Sequence, residues 1–204
     1  MAETNKSMND EFFNLINQYT SLTKEEVELV LNKIVKKTYP KHEVIFREGH
    51  ISTTIYFVLK GHVRLFYNVD GVEKTAFFYS KGKFICAGES FTYNVPAVEN
   101  YQAIEDTVLL HFDKAIFGEL FKITPKFEII GRIATENELI TYQKMLATFI
   151  TKSPEDRYLE LMNTQPELFQ KVPQQYIASF IGVSPETLSR IKKRVVLKLK
   201  NSKT

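Results

Sequence analysis

The chain lacks most of the residues from which redox, metal and secreted scaffolds are built. Of its 204 residues one is a cysteine, Cys86, so no disulfide framework, zinc site or cysteine-ligated iron–sulfur cluster can form within a single chain. No apolar run reaches 18 residues, and the opening MAETNKSMNDEFF has no apolar signal core. Neither a membrane-spanning helix nor a secretory leader is therefore expected, and the cytoplasm is the expected compartment. The four histidines, His42, His50, His62 and His111, include no His-x-His pair, and no nucleophile–base set is visible. An enzyme is not expected on these grounds.

Charge is present but unevenly placed. Residues 151–204 hold ten Lys/Arg against five Asp/Glu, whereas residues 1–150 hold 17 against 19. A basic section behind a near-neutral body points to a polyanion-binding module joined to something else.

The body reads as follows. Phe12, Phe13, Leu15, Ile16 and Tyr19 share one helical face in residues 9–20. Thr23 and Glu26 then have capping-box spacing ahead of a second helix that carries Val27, Val30, Leu31 and Ile34. From Tyr39 to Phe112 short β-branched and aromatic runs alternate with turn signals at Gly49, Gly61, Asp70-Gly71 and Gly82. That texture predicts a β-roll or jelly roll, with Asp70-Gly71 the clearest hairpin. Asp113 is placed to cap a short helix through Phe121. Thr124-Pro125 opens a long one, residues 125–151, interrupted only by Gly131. At about 27 residues it would be roughly 40 Å long. Its wide apolar stripe fits packing on the body and on a second copy of the chain.

The most informative stretch is Ile177–Lys193, IASFIGVSPETLSRIKK. Two short helices cross tightly only when a small residue faces the partner and the turn tolerates a left-handed backbone. Ala178 and Gly182 supply these. Ile177, Ile181, Val183, Leu188 and Ile191 are spaced as the small core between the helices. Ser184 is placed to cap the second helix, with Pro185 at its first position. Glu186, Ser189, Arg190 and Lys193 then face outward, where a recognition helix meets base edges; Arg190 suits guanine and Glu186 a cytosine amino group. Gln174, Gln175, Ser184 and Thr187 are candidate phosphate donors, and Lys192, Arg194, Lys198 and Lys200 an electrostatic footprint for the backbone.

At this point the chain resembles the CRP/FNR family of bacterial transcription regulators. The resemblance runs over VIFREGHISTTIYFVLKGHVRLF, the long helix and the helix-turn-helix motif. It implies an α+β protein in three parts: a cyclic-nucleotide-binding-like β-roll sensor at 1–124, a dimerisation helix at 125–151 and a helix-turn-helix domain at 152–204. It also implies a homodimer on a palindromic operator, contact with RNA polymerase, and an effector in the β-roll that reorients the DNA-binding pair. In the family the Glu and Arg matching Glu186 and Arg190 contact bases. An earlier base-contacting Arg would fall at Pro185, so the preferred sequence should differ.

The effector site departs from the family pattern. Cyclic-nucleotide binders carry Gly-Glu and, about ten residues later, Arg-Ser for the phosphate. Here Gly88-Glu89 is followed at that spacing by Glu99-Asn100, and counting from Ala87 instead gives Ala97-Val98. No arginine occurs between Arg64 and Arg132. A buried phosphate would lack its cationic fork and would be repelled by Glu99. Cyclic AMP is not expected, and neither is any other cofactor. A different small molecule bordered by Cys86, Gly88, Glu89, Glu99, Asn100, Tyr101 and Tyr142, or a closed pocket, remains open. The family's iron–sulfur branch needs several cysteines, and its haem branch needs axial ligands that four strand or loop histidines do not promise. Family members usually follow the recognition helix with a β-hairpin wing, whereas VVLKLKNSKT leaves no room for one of normal size. The expected function is sequence-specific DNA binding. The alternative is a sensor that signals through protein partners and keeps a vestigial hairpin.

Overall fold

The computed structural model describes residues 10–201, which group into two compact units. Among the described residues the first comprises 10–65 and 78–139, the second 66–77 and 140–201.

In the first unit, a helix at 10–16 (α1) buries Phe12 and Ile16. Thr23 starts α2 (Lys24–Leu31) with the capping box that the spacing predicts. The Thr23 hydroxyl accepts from the Glu26 N–H at 3.2 Å, and the Glu26 carboxylate accepts from the Thr23 N–H at 2.8 Å. The helix ends earlier than its apolar spacing implies. Residues from Val35 onward leave it to form β1 (Val35–Tyr39), which pairs antiparallel with β8 (Thr107–Asp113). An edge pairing five residues long outweighs the helical preference of Val35–Lys37, a tertiary decision invisible in local spacing.

The remaining strands are β2 (Val44–Phe46), β3 (Thr54–Lys60), β4 (His62–Val69), β5 (Val72–Ser80), β6 (Phe84–Ile85) and β7 (Asn100–Ala103). They form two four-stranded sheets in the orders β1-β8-β3-β6 and β2-β7-β4-β5. Tyr56, Phe57, Val58 and Leu59 are buried in succession along β3. Such a run without alternation marks a strand covered on both faces. On one of those faces Phe57, Leu59, Leu110 and Phe112 join Phe12, Ile16, Val27, Val30, Leu120, Phe127 and Ile130 in one core cluster. Asp70 and Gly71 both take positive φ, 53° and 79°, as a tight hairpin turn matched to strand twist requires.

Between β6 and β7 lies a short helix, α3 (Gly88–Tyr93), absent from the sequence reading. Asp113 occupies the N-cap position of the next helical segment, as expected, but its side chain makes no capping bond. It stays in β8 and accepts a hydrogen bond from the Thr54 hydroxyl at 2.5 Å. A 3-10 turn (Lys114–Ile116) leads into α4 (Phe117–Ile123), two residues longer than expected. Thr124, extended at φ −152°, precedes α5 (Lys126–Thr151), the long helix, which contributes to both units. Only Phe127 and Ile130 on it are buried.

The second unit contains the outer part of the β4–β5 hairpin and α6 (Pro154–Thr164), α7 (Leu168–Lys171), α8 (Gln174–Phe180) and α9 (Pro185–Asn201). Ser153 caps α6 by accepting from the Asp156 N–H at 3.2 Å. α9 runs to Asn201, the last described residue.

A helix-turn-helix with an exposed polar face

The α8–α9 hairpin is built as its sequence demands. Gly182 adopts φ 75°, its N–H donates to Ser179 O at 3.0 Å, and the Val183 N–H donates to Ala178 O at 2.9 Å. This paired pattern around a left-handed glycine is a Schellman termination, which satisfies carbonyls the helix end would otherwise leave open. Ser184 then caps α9, accepting from the Thr187 N–H at 3.2 Å. Ile177, Ala178, Ile181, Leu188, Ile191 and Val195 are buried between the two helices and their supports.

One support went unnoticed in the sequence. The Arg157 Nε donates to Ile181 O at 3.0 Å, another of its nitrogens donates to Lys152 O at 2.8 Å, and its guanidinium lies 4.6 Å from the Phe149 ring centre. Arg157 thus ties α6 to the last carbonyl before the turn. Its only sequence signal was an arginine in the first turn of a capped helix, which reads as a surface residue.

With the core facing inward, Pro185, Glu186, Ser189, Arg190 and Lys193 are all exposed. Glu186, Arg190 and Lys193 stand at i, i+4 and i+7, so they share one face of α9. Hydrogen bonding from the Ser184 hydroxyl and from its own backbone N–H, opposed weakly by burial, holds the Glu186 carboxyl below its ordinary range, with Arg190 adding to the effect. The Ser184 hydroxyl also lies 3.2 Å from Thr187 Oγ1, so it has two acceptors to choose between. Gln174 and Gln175 are exposed at the start of α8.

The basic residues are engaged in different ways. Lys192 donates to Gln174 Oε1 at 2.9 Å. Arg194 and Lys198 both hold Glu155, at 2.9 Å and 2.6 Å, and lower its pKa, Lys198 more strongly. The two cations are exposed while Glu155 is half-buried, and ion pairs at the surface contribute little to stability. The side chain of Lys200 lies outside the described residues. Within the same unit Thr75 donates its N–H to Ser179 Oγ at 2.8 Å, and Gly71, Val72, Glu73 and Lys74 share a 680 Å³ groove with Gln175, Ser184 and Pro185.

Of the residues read as an effector site, Cys86 and Tyr101 are brought together. Cys86 is half-buried, and the Tyr101 hydroxyl donates to its carbonyl at 3.0 Å. Gly88 and Glu89 are exposed on α3. Glu99 accepts from the Val98 N–H at 3.1 Å. Asn100 is buried and clamps Glu48, accepting from its N–H at 3.1 Å and donating to its carboxylate at 2.9 Å. Tyr142 belongs to the second unit, edge-on to Phe77 with ring centres 5.4 Å apart. Three histidine rings have hydrogen-bond partners: His62 the Glu105 carboxylate at 2.6 Å, His111 the Tyr39 hydroxyl at 3.1 Å, and His50 the main-chain carbonyl of Glu48 at 3.3 Å. His42 stands in a turn at φ 72°.

Comparison with known proteins agrees with this geometry. Residues 36–124 match the family model of the cyclic nucleotide-binding domain. The cyclic AMP receptor protein of Thermus thermophilus is 26% identical over 179 residues, 85% of this chain and 82% of the relative. Among solved structures, the c-di-GMP-responsive global regulator CLP of Xanthomonas campestris superposes with TM-score 0.71 at 20% identity, covering 86% of this chain and 93% of that one. FixK2 of Bradyrhizobium japonicum superposes with TM-score 0.64 at 18% identity, covering 81% and 85%.

Proposed function

The chain belongs to the CRP/FNR family of regulators, and on that premise we propose that it is a homodimeric, sequence-specific DNA-binding transcription regulator controlled by a small molecule other than cyclic AMP. The observation that carries the reading is the exposed face of α9. Glu186, Ser189, Arg190 and Lys193 stand clear of a well-packed hairpin, as residues that reach base edges must. Gln174, Gln175, Ser184 and Thr187 offer donors to the phosphates on either side. Lys192, Arg194 and Lys198 supply charge once the strand displaces Gln174 and Glu155. A phosphate strand reaching Gln175 and Ser184 enters the groove those residues share with Gly71–Lys74.

Dimerisation is supported by the long helix. Leu139, Gln143, Leu146 and Ile150 recur at alternating steps of four and three, and Leu146 and Ile150 are 62% and 74% exposed. Such a seam fits a second helix of the same kind. Two recognition helices carried by that seam would read half-sites about one DNA turn apart, and RNA polymerase is the partner the family reading implies. Cyclic AMP is disfavoured because the positions that should hold its phosphate are Glu99-Asn100 or Ala97-Val98. Asn100 is committed to Glu48, and Ala97 is buried.

The test compares two variants on a selected operator and on random duplex. Arg190→Ala should cost about 1–3 kcal/mol on the operator and relax preference at one base pair, while Lys198→Ala should weaken both duplexes alike. Equal losses on every sequence for both variants would remove Arg190 as a reader. No salt-dependent DNA binding at all would hand the chain to the protein-partner alternative.

A further inference from the structure

The second unit contains a 230 Å³ cavity, framed by α5, α6 and the end of α8, that DNA reading leaves unused. Met145, Leu161, Phe180 and Ile181 form its apolar wall. An engineered apolar cavity of about 150 Å³ takes benzene, so this one has room for a single ring with a short polar arm.

Two contacts fix how its long walls run. The Arg157 guanidinium of α6 lies 4.6 Å from the centre of the Phe149 ring on α5, and the Thr148 hydroxyl donates to the Glu160 carboxylate at 3.3 Å. The two helices are therefore antiparallel here. One turn further along, Lys144 on α5 comes level with Thr164 and Gln165 at the end of α6. Lys144 and Thr164 are exposed, which makes this end the mouth, whereas Leu161 and Ile181 are buried at the back.

Charge in the cavity is one-sided. Glu160, the one acid among its described lining residues, has both carboxylate oxygens engaged, Oε1 by Lys152 at 2.8 Å and Oε2 by Thr148. Lys144 has no hydrogen-bond or ion-pair partner among the described residues, and neither does the half-buried Gln165 amide. Arg157 spends Nε and Nη1 on main-chain carbonyls and meets no carboxylate among the described residues. Two uncompensated cations beside an acid already neutralised favour an anion and disfavour a cation.

We propose that this cavity binds a small monocarboxylic acid as its anion. The carboxylate sits at the mouth on the Lys144 ammonium and the Gln165 amide, and a ring-sized apolar group lies against Met145, Leu161 and Phe180. Phe180 and Ile181 are the last residues before the Gly182 turn, so an occupant touches the helix-turn-helix directly. The proposal deepens the effector part of the function above and rests on that reading only for its consequence at DNA, because occupancy is measured without DNA.

Calorimetric titration of the full chain at pH 7 with phenylacetate, 2-phenylethanol and 2-phenylethylamine tests it, since the three share a ring and arm and differ in charge. Phenylacetate should bind saturably at one site per chain, about tenfold tighter than the alcohol, the scale of one charge-assisted hydrogen bond, and the amine should not bind. Lys144→Gln, a surface change, should reduce phenylacetate to the affinity of the alcohol and leave the alcohol unchanged, while Lys144→Arg should keep the preference. Met145→Trp, which fills the cavity, should abolish binding of both in a chain whose circular dichroism is intact; should that variant fold poorly, the two Lys144 variants decide. Absence of saturable phenylacetate binding, equal affinity for the alcohol, or an undiminished preference for the acid in Lys144→Gln would overturn the assignment. Operator binding by the same preparation without acid reports separately on the DNA reading.

Discussion

His111 illustrates how one side chain records its surroundings. Burial and then Lys37 lower its pKa, while Asp113 opposes them. The ring stacks on Tyr39 with the planes 8° apart and meets Tyr56 edge-on. A histidine kept neutral by the fold contributes stability above its unfolded pKa of about 6.5, and that contribution is lost as pH falls through the lower folded value. Denaturant unfolding of wild type and His111→Gln between pH 7.5 and 5 should show a steeper acid loss in wild type; parallel curves would deny His111 this role. Cys86 behaves in the opposite sense, its thiol raised to about 12 chiefly by burial. Alkylation at pH 8 should be at least tenfold slower in the native chain than in denaturant, and equal rates would mean the thiol is open. Arg157 ties α6 to the hairpin through the Ile181 carbonyl. Charged donors to backbone carbonyls contribute about 1.5–3 kcal/mol, so Arg157→Ala should lower the stability of the second unit by that order, measured by urea unfolding.

At the level of elements, the sequence was most legible where chemistry is local. Thr23 with Glu26, Ser153, Gly182 and Ser184 each form the cap or turn their spacing announces, because the partners lie within five residues. The hairpin at Asp70-Gly71 and the long helix are legible for the same reason. What was missed depends on remote partners. β1 exists because β8 offers it an edge, Asp113 holds its N-cap position but turns its carboxylate to Thr54, and α3 carries few buried residues to betray its period. The 230 Å³ cavity gathers residues from β5, α5, α6 and α8, and of the residues read as an effector site it includes none. Gly182 gives the sharpest element-scale prediction. At φ 75° an alanine is strained, and its Cβ would sit 3.0 Å from a Phe149 ring carbon. Gly182→Ala should cost about 1–3 kcal/mol, measured as a shift in urea midpoint with unchanged slope; a neutral result would show the turn can relax.

For the whole molecule the account rests on pairing. The exposed seam of α5 has to meet a second copy for two recognition helices to act together. Replacing Leu146 and Ile150 by Glu should therefore shift sedimentation from dimer to monomer and abolish tight operator binding, because half-site affinity alone is weak. The fold likeness to CLP and FixK2 establishes the architecture on which this is argued, and the proposed DNA reading is drawn from the exposed residues of this chain's own α9. The most direct measurement is selection of bound duplexes from a random library by the wild-type protein, followed by sequencing. Enrichment of an inverted repeat with half-sites about one turn apart is predicted, while recovery of unenriched sequence at every salt concentration would contradict the central claim.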